Sequence, residues 1–422
     1  MPNQLNQLLN HKIKTEYSVK NNWDLTLELN LLLTFFSHQS KQLPVFIYWL
    51  ENYFEAVNLP FSLLENCLLE IEPKHFLVHS DLKEKLKVNN KIEEIGLCTD
   101  LHIELFQTVE KHSKPEYRSY IYNDAEKHLE FLKQSIETDS IILFTEYIAW
   151  AKTMLNALHI DTSTLIRFLV TLRTVFHVNN QKKEVAFLDR GIQMLLDGNV
   201  VSATSEIAFT ITEESKKYLE LLLLKERNLA KNYILELADG GMDIREIFLD
   251  VFQATQYELG RLWELNRITI AQEHYCTAAT QTFMAMLTAR IVPEKLIGKK
   301  VIATCVGTEQ HELGIRIVND FLEMEGWDTY YLGANAPMEA IILAIKDNQP
   351  DLLALSVTLT PHVKNVIEII QKVKNIFPTI KILVGGYPFL RDNSLAEKIG
   401  ADGVALDAKQ APIIALKLVQ NS

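Results

Sequence analysis

Between residues 299 and 386 three apolar, β-branched runs each end in a polar or glycine-bearing turn, and this repetition restricts the fold more than any other feature. Val301-Ile-Ala-Thr-Cys-Val306 breaks at Gly307, passes through Glu309-Gln-His311-Glu-Leu-Gly314, and gives way to a helical pattern from Leu313 to Glu325. Asp351-Leu-Leu-Ala-Leu-Ser356-Val-Thr358-Leu-Thr360-Pro reads as a buried strand ending in hydroxyls, and Lys381-Ile-Leu-Val-Gly385-Gly386-Tyr387-Pro388 as one ending in paired glycines. Strands alternating with helices imply a parallel α/β sheet, and in such sheets the carboxyl ends of the strands form the ligand crevice. An imidazole, hydroxyls and bare glycine backbone are therefore expected along one edge. A metal-bound histidine usually gives its second ring N–H to a carboxylate, and Glu309 stands two residues before His311.

The pattern Glu309-x-His311-x-x-Gly314, Ser356-x-Thr358 and Gly385-Gly386 resembles the cobalamin-binding domain, whose motifs are Asp-x-His-x-x-Gly, Ser-x-Leu or Ser-x-Thr, and Gly-Gly. The resemblance implies a Rossmann-like (flavodoxin-like) parallel-sheet domain over 297–422. His311 would then be the lower axial ligand of cobalt, with Glu309 behind it. Ser356 and Thr358 would contact the displaced nucleotide tail, and Gly385 and Gly386 would let that tail pass close to the backbone. Glu309 stands where the family has Asp, which adds one methylene; the hydrogen bond to His311 then needs a different rotamer or a bridging water.

For the chain as a whole, 422 residues imply several domains. The formal charge of -12 argues against a nucleic-acid surface or an anionic-membrane surface. No run approaches the ~18 apolar residues of a membrane span, and the start lacks a signal-peptide pattern, so a cytoplasmic protein is expected. The four cysteines, Cys67, Cys98, Cys276 and Cys305, have no spacing that suggests zinc or disulfides and read as free thiols.

Upstream of the sheet the periodicity is helical, giving an α plus α/β chain: an N-terminal helical region (1–115), a second helical region of sensor type (120–205), and a four-helix unit (213–293). The last divides near Lys225, at Gly240-Gly241, and at Asn266-Arg-Ile-Thr269, where the threonine is placed to cap the final helix. A four-helix unit directly upstream of a cobalamin domain is the arrangement of corrinoid carrier proteins, where it caps the upper face of the ring.

Within the cap, Trp263-Glu264 and Glu273-His274 resemble the Trp…Glu-His signature of light-sensing adenosylcobalamin proteins. That resemblance implies that Trp263 packs against an adenosyl group, Glu273 hydrogen-bonds it, and His274 helps to line the pocket. Read without it, Trp263 is a core anchor and Glu273-His274 a first-turn pair favoured by the helix dipole. Glu264 departs from the best-known members, which carry a cobalt-binding histidine there.

The texture of residues 120–422 is similar to a bacterial signalling family that includes the photocobilins, which hold a bilin beside the cobalamin. Tyr147, Trp150 and Phe168 are the aromatics available to line a biliverdin cavity, as they are for any packed helical core. The expected function is a non-enzymatic sensor, responding to light through adenosylcobalamin and signalling through a homo-oligomer or a downstream partner. The alternative is a corrinoid carrier for methyl transfer, which shares His311 and the sheet motifs but has no need of Trp263, Glu273 and His274. A radical mutase subunit is disfavoured because it needs a substrate barrel with parallel strands, whereas the N-terminal half reads as helical.

Overall fold

The carboxyl-terminal sheet follows from strands whose residues are apolar on both faces. β1 (Lys300–Val306) is buried at every position after Lys300, β3 (Leu352–Ser356) at all but its last, and β4 (Lys381–Gly385) through its centre. Such double burial is characteristic of parallel strands covered by helices on both sides. β2 (Asp328–Ala336) and β5 (Gly403–Ala405) complete a five-stranded parallel sheet of order β2-β1-β3-β4-β5. In register, Cys305 pairs with Ser356 and Ser356 with Gly385. The turns that carry the motifs therefore leave the sheet side by side, next to the β1/β3 switch point where strand order reverses.

The computed structural model describes residues 118–160, 162–178, 181–196, 211–291 and 295–420; the helical region expected at 1–115 lies outside them. In chain order the longer helices are α1 (Arg118–Glu137), α2 (Ile141–Ala157), α3 (Ser163–Val178), α4 (Lys182–Leu196), α5 (Glu213–Leu223), α6 (Arg227–Asp239), α7 (Ala254–Glu264) and α8 (Ile270–Thr288). The sheet domain adds α9 (Leu313–Met324), α10 (Met338–Asn348), α11 (Val363–Ile376), the short α12 (Tyr387–Arg391) and α13 (Leu395–Lys398), and α14 (Gln410–Gln420). A π-helical stretch, Ile247–Gln253, runs directly into α7. Among the described residues no helix is long and apolar enough to cross a membrane.

Two compact units divide the chain. One takes in Ser163–Ile192 and the described residues up to Leu129; there His128 packs against Phe168, and Arg173 pairs with Asp189. The other spans Glu130–Thr162 and Gln193–Ser422, so α2 and the second half of α1 lie in the same unit as the four-helix segment and the sheet.

In this second unit the sheet residues alternate between two cores, as the period of two requires. Ile302, Leu353, Ile382 and Val384 face Ile341, Ile345, Val366 and Ile370 of α10 and α11. Val301, Ala303, Leu352 and Leu383 face Ile315 and Leu322 of α9, together with Ala411 and Ala415 of α14. α9 also presents Ile317 and Phe321 to a third core, filled by Phe248, Phe252, Phe283 and Met284 of the helices upstream. Burying a side chain of this size contributes roughly 2–3 kcal/mol, so α9 fixes the four-helix unit to the sheet. Polar contacts at the same interface join Gln281 to Glu312 (2.9 Å), Thr288 to Asp320 (2.8 Å) and Arg245 to Glu325 (2.8 Å).

The helix breaks arise from local chemistry. Lys225 and Asn266 take left-handed backbone conformations (φ 62° and 53°), and Gly241 a positive φ of 95°. Thr269 forms a capping box with Gln272 and opens α8.

Candidate functional site

At the carboxyl edge of β1 the chain turns at Gly307 (φ 59°) and carries Thr308, Glu309 and His311 before α9 begins. Glu309 is 1% exposed, and its environment shows how a carboxylate is kept there. Oε1 accepts from the His311 ring Nδ1 and from the His311 backbone N–H (3.3 Å). Oε2 accepts from the backbone N–H groups of Thr358 (3.0 Å) and Leu359 (3.0 Å) and contacts Nδ1 of His362 (3.2 Å). The longer side chain thus reaches His311 directly, with no bridging water required.

Burial alone would raise the Glu309 carboxyl, but the hydrogen bonds from His311 and His362, the His311 charge and the Leu359 N–H outweigh it and hold it well below the usual carboxylate range. Glu309 in turn raises the His311 imidazole by its hydrogen bond; burial opposes this, and the charges of Glu309 and Glu273 add to it. With Nδ1 tied to Glu309, Nε2 is the ring nitrogen that a metal would find open. No hydrogen bond engages that nitrogen among the described residues, and the side chain is 58% exposed.

Ser356 and Gly385 are register partners at the ends of β3 and β4, and Thr358 follows on the turn whose backbone binds Glu309. Gly386 has φ 106°, and a Cβ there would lie 1.9 Å from the Val357 carbonyl oxygen. Only glycine fits so close an approach between the β3 and β4 turns. Gly314 lies in the first turn of α9 with open space around it.

The cap brings a second set of groups to this edge. Glu273 accepts from Thr277 (2.9 Å) and contacts His274 Nδ1 (2.6 Å), and its charge reaches His311. His274 is 70% exposed. Trp263 is half-buried at the end of α7, and Glu264, 2% exposed, is turned into the protein. Burial and the Glu146 carboxylate raise the Tyr387 phenol, and Glu264 adds to that effect. Cys276 and Cys305 are buried free thiols, pushed up by burial to about 11 and about 12.

Three participants were not singled out from the sequence. His362 joins Glu309 from the head of α11. Glu312 accepts from Gln281, from the Tyr331 hydroxyl (3.1 Å) and from the Ala334 N–H (3.0 Å), linking cap, loop and β2. Glu146 of α2 accepts from Tyr387 (3.1 Å) and Arg391 (2.6 Å), immediately after Gly386.

Trp150 of α2 packs against Trp263 (6.4 Å between centroids) and Tyr147 (5.8 Å), and Tyr147 stacks on Phe131 (3.9 Å). Tyr147, 6% exposed, and Phe168, 5% exposed, each fill a packed core.

Among the described residues no group of three or more His, Cys, Asp or Glu side chains could hold a metal ion. The His311 imidazole, held at Nδ1 by Glu309, offers one nitrogen, and a corrinoid's cobalt would need one protein ligand of that kind.

Residues 299–415 match a family model described as a B12 binding domain, and residues 215–288 match a second model of the same description. The chain thus carries two segments that match B12-binding domains, one in its helical part and one in its sheet part. The chain is 27% identical over 192 residues to dimethylamine corrinoid protein 1 of Methanosarcina acetivorans, covering 44% of this chain and 88% of that protein. It is 28% identical over 180 residues to trimethylamine corrinoid protein 1 of Methanosarcina mazei, covering 41% and 82%. Among solved structures, the monomethylamine corrinoid protein of Methanosarcina barkeri aligns over 49% of this chain and 98% of its own, with TM-score 0.45 and 21% identity.

Proposed function

We propose that this protein is a corrinoid carrier of the methyl-transfer type, holding cobalt through His311 at the carboxyl edge of the sheet beneath the four-helix cap. The observation that carries the reading is the His311 imidazole, bound at Nδ1 by a buried Glu309 and open at Nε2. Its relatives named for dimethylamine and trimethylamine corrinoid proteins favour the same reading. When bound, a corrinoid supplies a cobalt centre able to accept and release an alkyl group.

The chain's own residues do the rest. Glu309 fixes the ligand tautomer and raises its basicity. Ser356, Thr358, Gly385 and Gly386 shape the edge that would take the nucleotide tail. Trp263 and Glu273 would stand on the opposite wall with His274 exposed beside them, although methyl transfer itself does not require this set. Methyltransferases are the partners this function requires.

Light sensing through adenosylcobalamin is the second reading. The specific observation for it is the aromatic row from Trp263 through Trp150 and Tyr147, which connects the cap to α2, outside the two B12-binding matches. A bilin chromophore belongs to this reading and is tested by titration with biliverdin.

One experiment separates the two. The cofactor-free protein is loaded in darkness with hydroxocobalamin, methylcobalamin or adenosylcobalamin, and its spectrum and oligomeric state are followed before and after green light. A carrier takes up all three and keeps its assembly on illumination. A sensor prefers the adenosyl form and changes assembly. Failure to take up any of them would overturn both.

A further inference from the structure

His362 uses both ring nitrogens on consecutive residues of the His311 loop. Its Nδ1 lies 3.2 Å from Glu309 Oε2, and its Nε2 lies 3.3 Å from the Thr308 hydroxyl. The tautomer that satisfies both contacts carries its proton on Nδ1, donating to Glu309 and accepting from Thr308. The ring is held on the short turn Thr360–His362 that opens α11, with an 18% exposed side chain beside the buried Thr360. One turn on, the Asn365 side chain closes over Gly307, where a Cβ would meet its Oδ1 at 2.9 Å. The head of α11 thus seats the loop from Gly307 to Glu309.

The two backbone N–H groups at Thr358 and Leu359 fix where Oε2 sits. The imidazole adds a further donor, and it ties that oxygen to the neighbouring residue of the same loop. Rotation of the carboxylate away from His311 would break contacts on both sides.

We propose that His362 is a positioning residue for the axial ligand: through Thr308 and Glu309 it holds His311 with Nδ1 engaged and Nε2 presented to cobalt. This rests on the corrinoid reading given above. Nothing in the distances requires His362 to touch the cofactor; it acts through Glu309.

The test uses the full chain grown with heavy-nitrogen histidine and loaded with cob(II)alamin; it reads the histidine nitrogen splitting in the electron paramagnetic resonance spectrum, which the label distinguishes from that of the cofactor's own base, together with cobalamin affinity. Replacing partners of a metal-bound histidine commonly costs on the order of tenfold or more in metal affinity. His362→Leu should therefore lose most of the nitrogen splitting and weaken binding by roughly tenfold. His362→Asn keeps an N–H donor near the Nδ1 position and should behave as the parent. His362→Gln places its donor near Nε2 and should behave as the leucine variant.

Should the leucine variant fail to fold, the Asn and Gln pair carries the test. Equal behaviour of these two, or an unchanged leucine variant, overturns the proposal. His311→Ala separates the levels. If it removes the splitting while the His362 variants do not change it, only the role of His362 falls. If it leaves the spectrum unchanged, the axial-ligand reading falls and this inference with it.

Discussion

A buried carboxylate that gathers two imidazoles is the residue-scale basis of the site, and its protonation sets a pH signature for the cofactor-free protein. The His311 imidazole is raised in the folded state, so its contribution is complete below its ordinary value near ~6.5 and declines as pH rises through the folded value. Glu309 is held low, so its contribution is complete above the ordinary carboxylate value near ~4.3 and is lost only as pH falls well below that. The pair therefore supports stability most between those limits. A urea midpoint followed against pH should fall as pH rises past the ordinary imidazole value near ~6.5, and Glu309→Gln should flatten that fall; an identical slope in the variant would refute the assignment.

Gly386→Ala places a methyl group against the Val357 carbonyl at a positive φ, and should destabilise the sheet domain by at least about 2–4 kcal/mol in equilibrium unfolding. His311, Glu309 and the glycines were legible because their chemistry sits in short motifs. His362 was not, because it meets Glu309 only after β3 is paired with β1, and a Thr-Pro-His turn carries no spacing signal towards a loop 53 positions away.

At the scale of elements, strands with apolar residues on both faces could be read from composition, whereas the two outer strands could not. β2 alternates in burial and contains Gly333 and Asn335, both at positive φ, and β5 has only three residues. The capped start of α8 was legible for the opposite reason, since capping is a local matter of Thr269 and Gln272.

The docking of α2 depends on tertiary contacts. Leu143 is 1% exposed within the core on one sheet face, and Glu146 binds Tyr387 and Arg391 beside the Gly385-Gly386 turn. Lys398 also donates to the Asp139 carbonyl just before the helix (3.1 Å). The two partly buried hydrogen bonds to the Glu146 carboxylate contribute about 1.5–3 kcal/mol each, the exposed one from Lys398 less. Glu146→Ala should accordingly release α2 before the sheet unfolds, seen as faster hydrogen exchange over 141–157 with β1 and β3 unchanged. Uniform exchange in both proteins would show that Leu143 and its neighbours hold α2 without that carboxylate.

At the scale of the molecule, the fold places the His311 loop and the Gly385-Gly386 turn at one sheet edge, with the upstream helices packed on α9, and the B12-binding matches cover those parts. α2 extends the same compact unit beyond the matched residues and reaches both the cap, at Trp263, and the sheet, at Arg391. That extension is what distinguishes this chain from a minimal cap-and-sheet module. The central claim, however, rests on a single bond from His311 to cobalt. The most direct measurement is the electron paramagnetic resonance spectrum of the cob(II)alamin-loaded protein, grown with ordinary or heavy-nitrogen histidine. The account predicts a nitrogen triplet that becomes a doublet with the label in the parent protein, and no splitting that responds to the label in His311→Ala, whatever base the cofactor itself returns to cobalt. A triplet in the parent protein that ignores the label, or a label-sensitive splitting that survives the substitution, would contradict it.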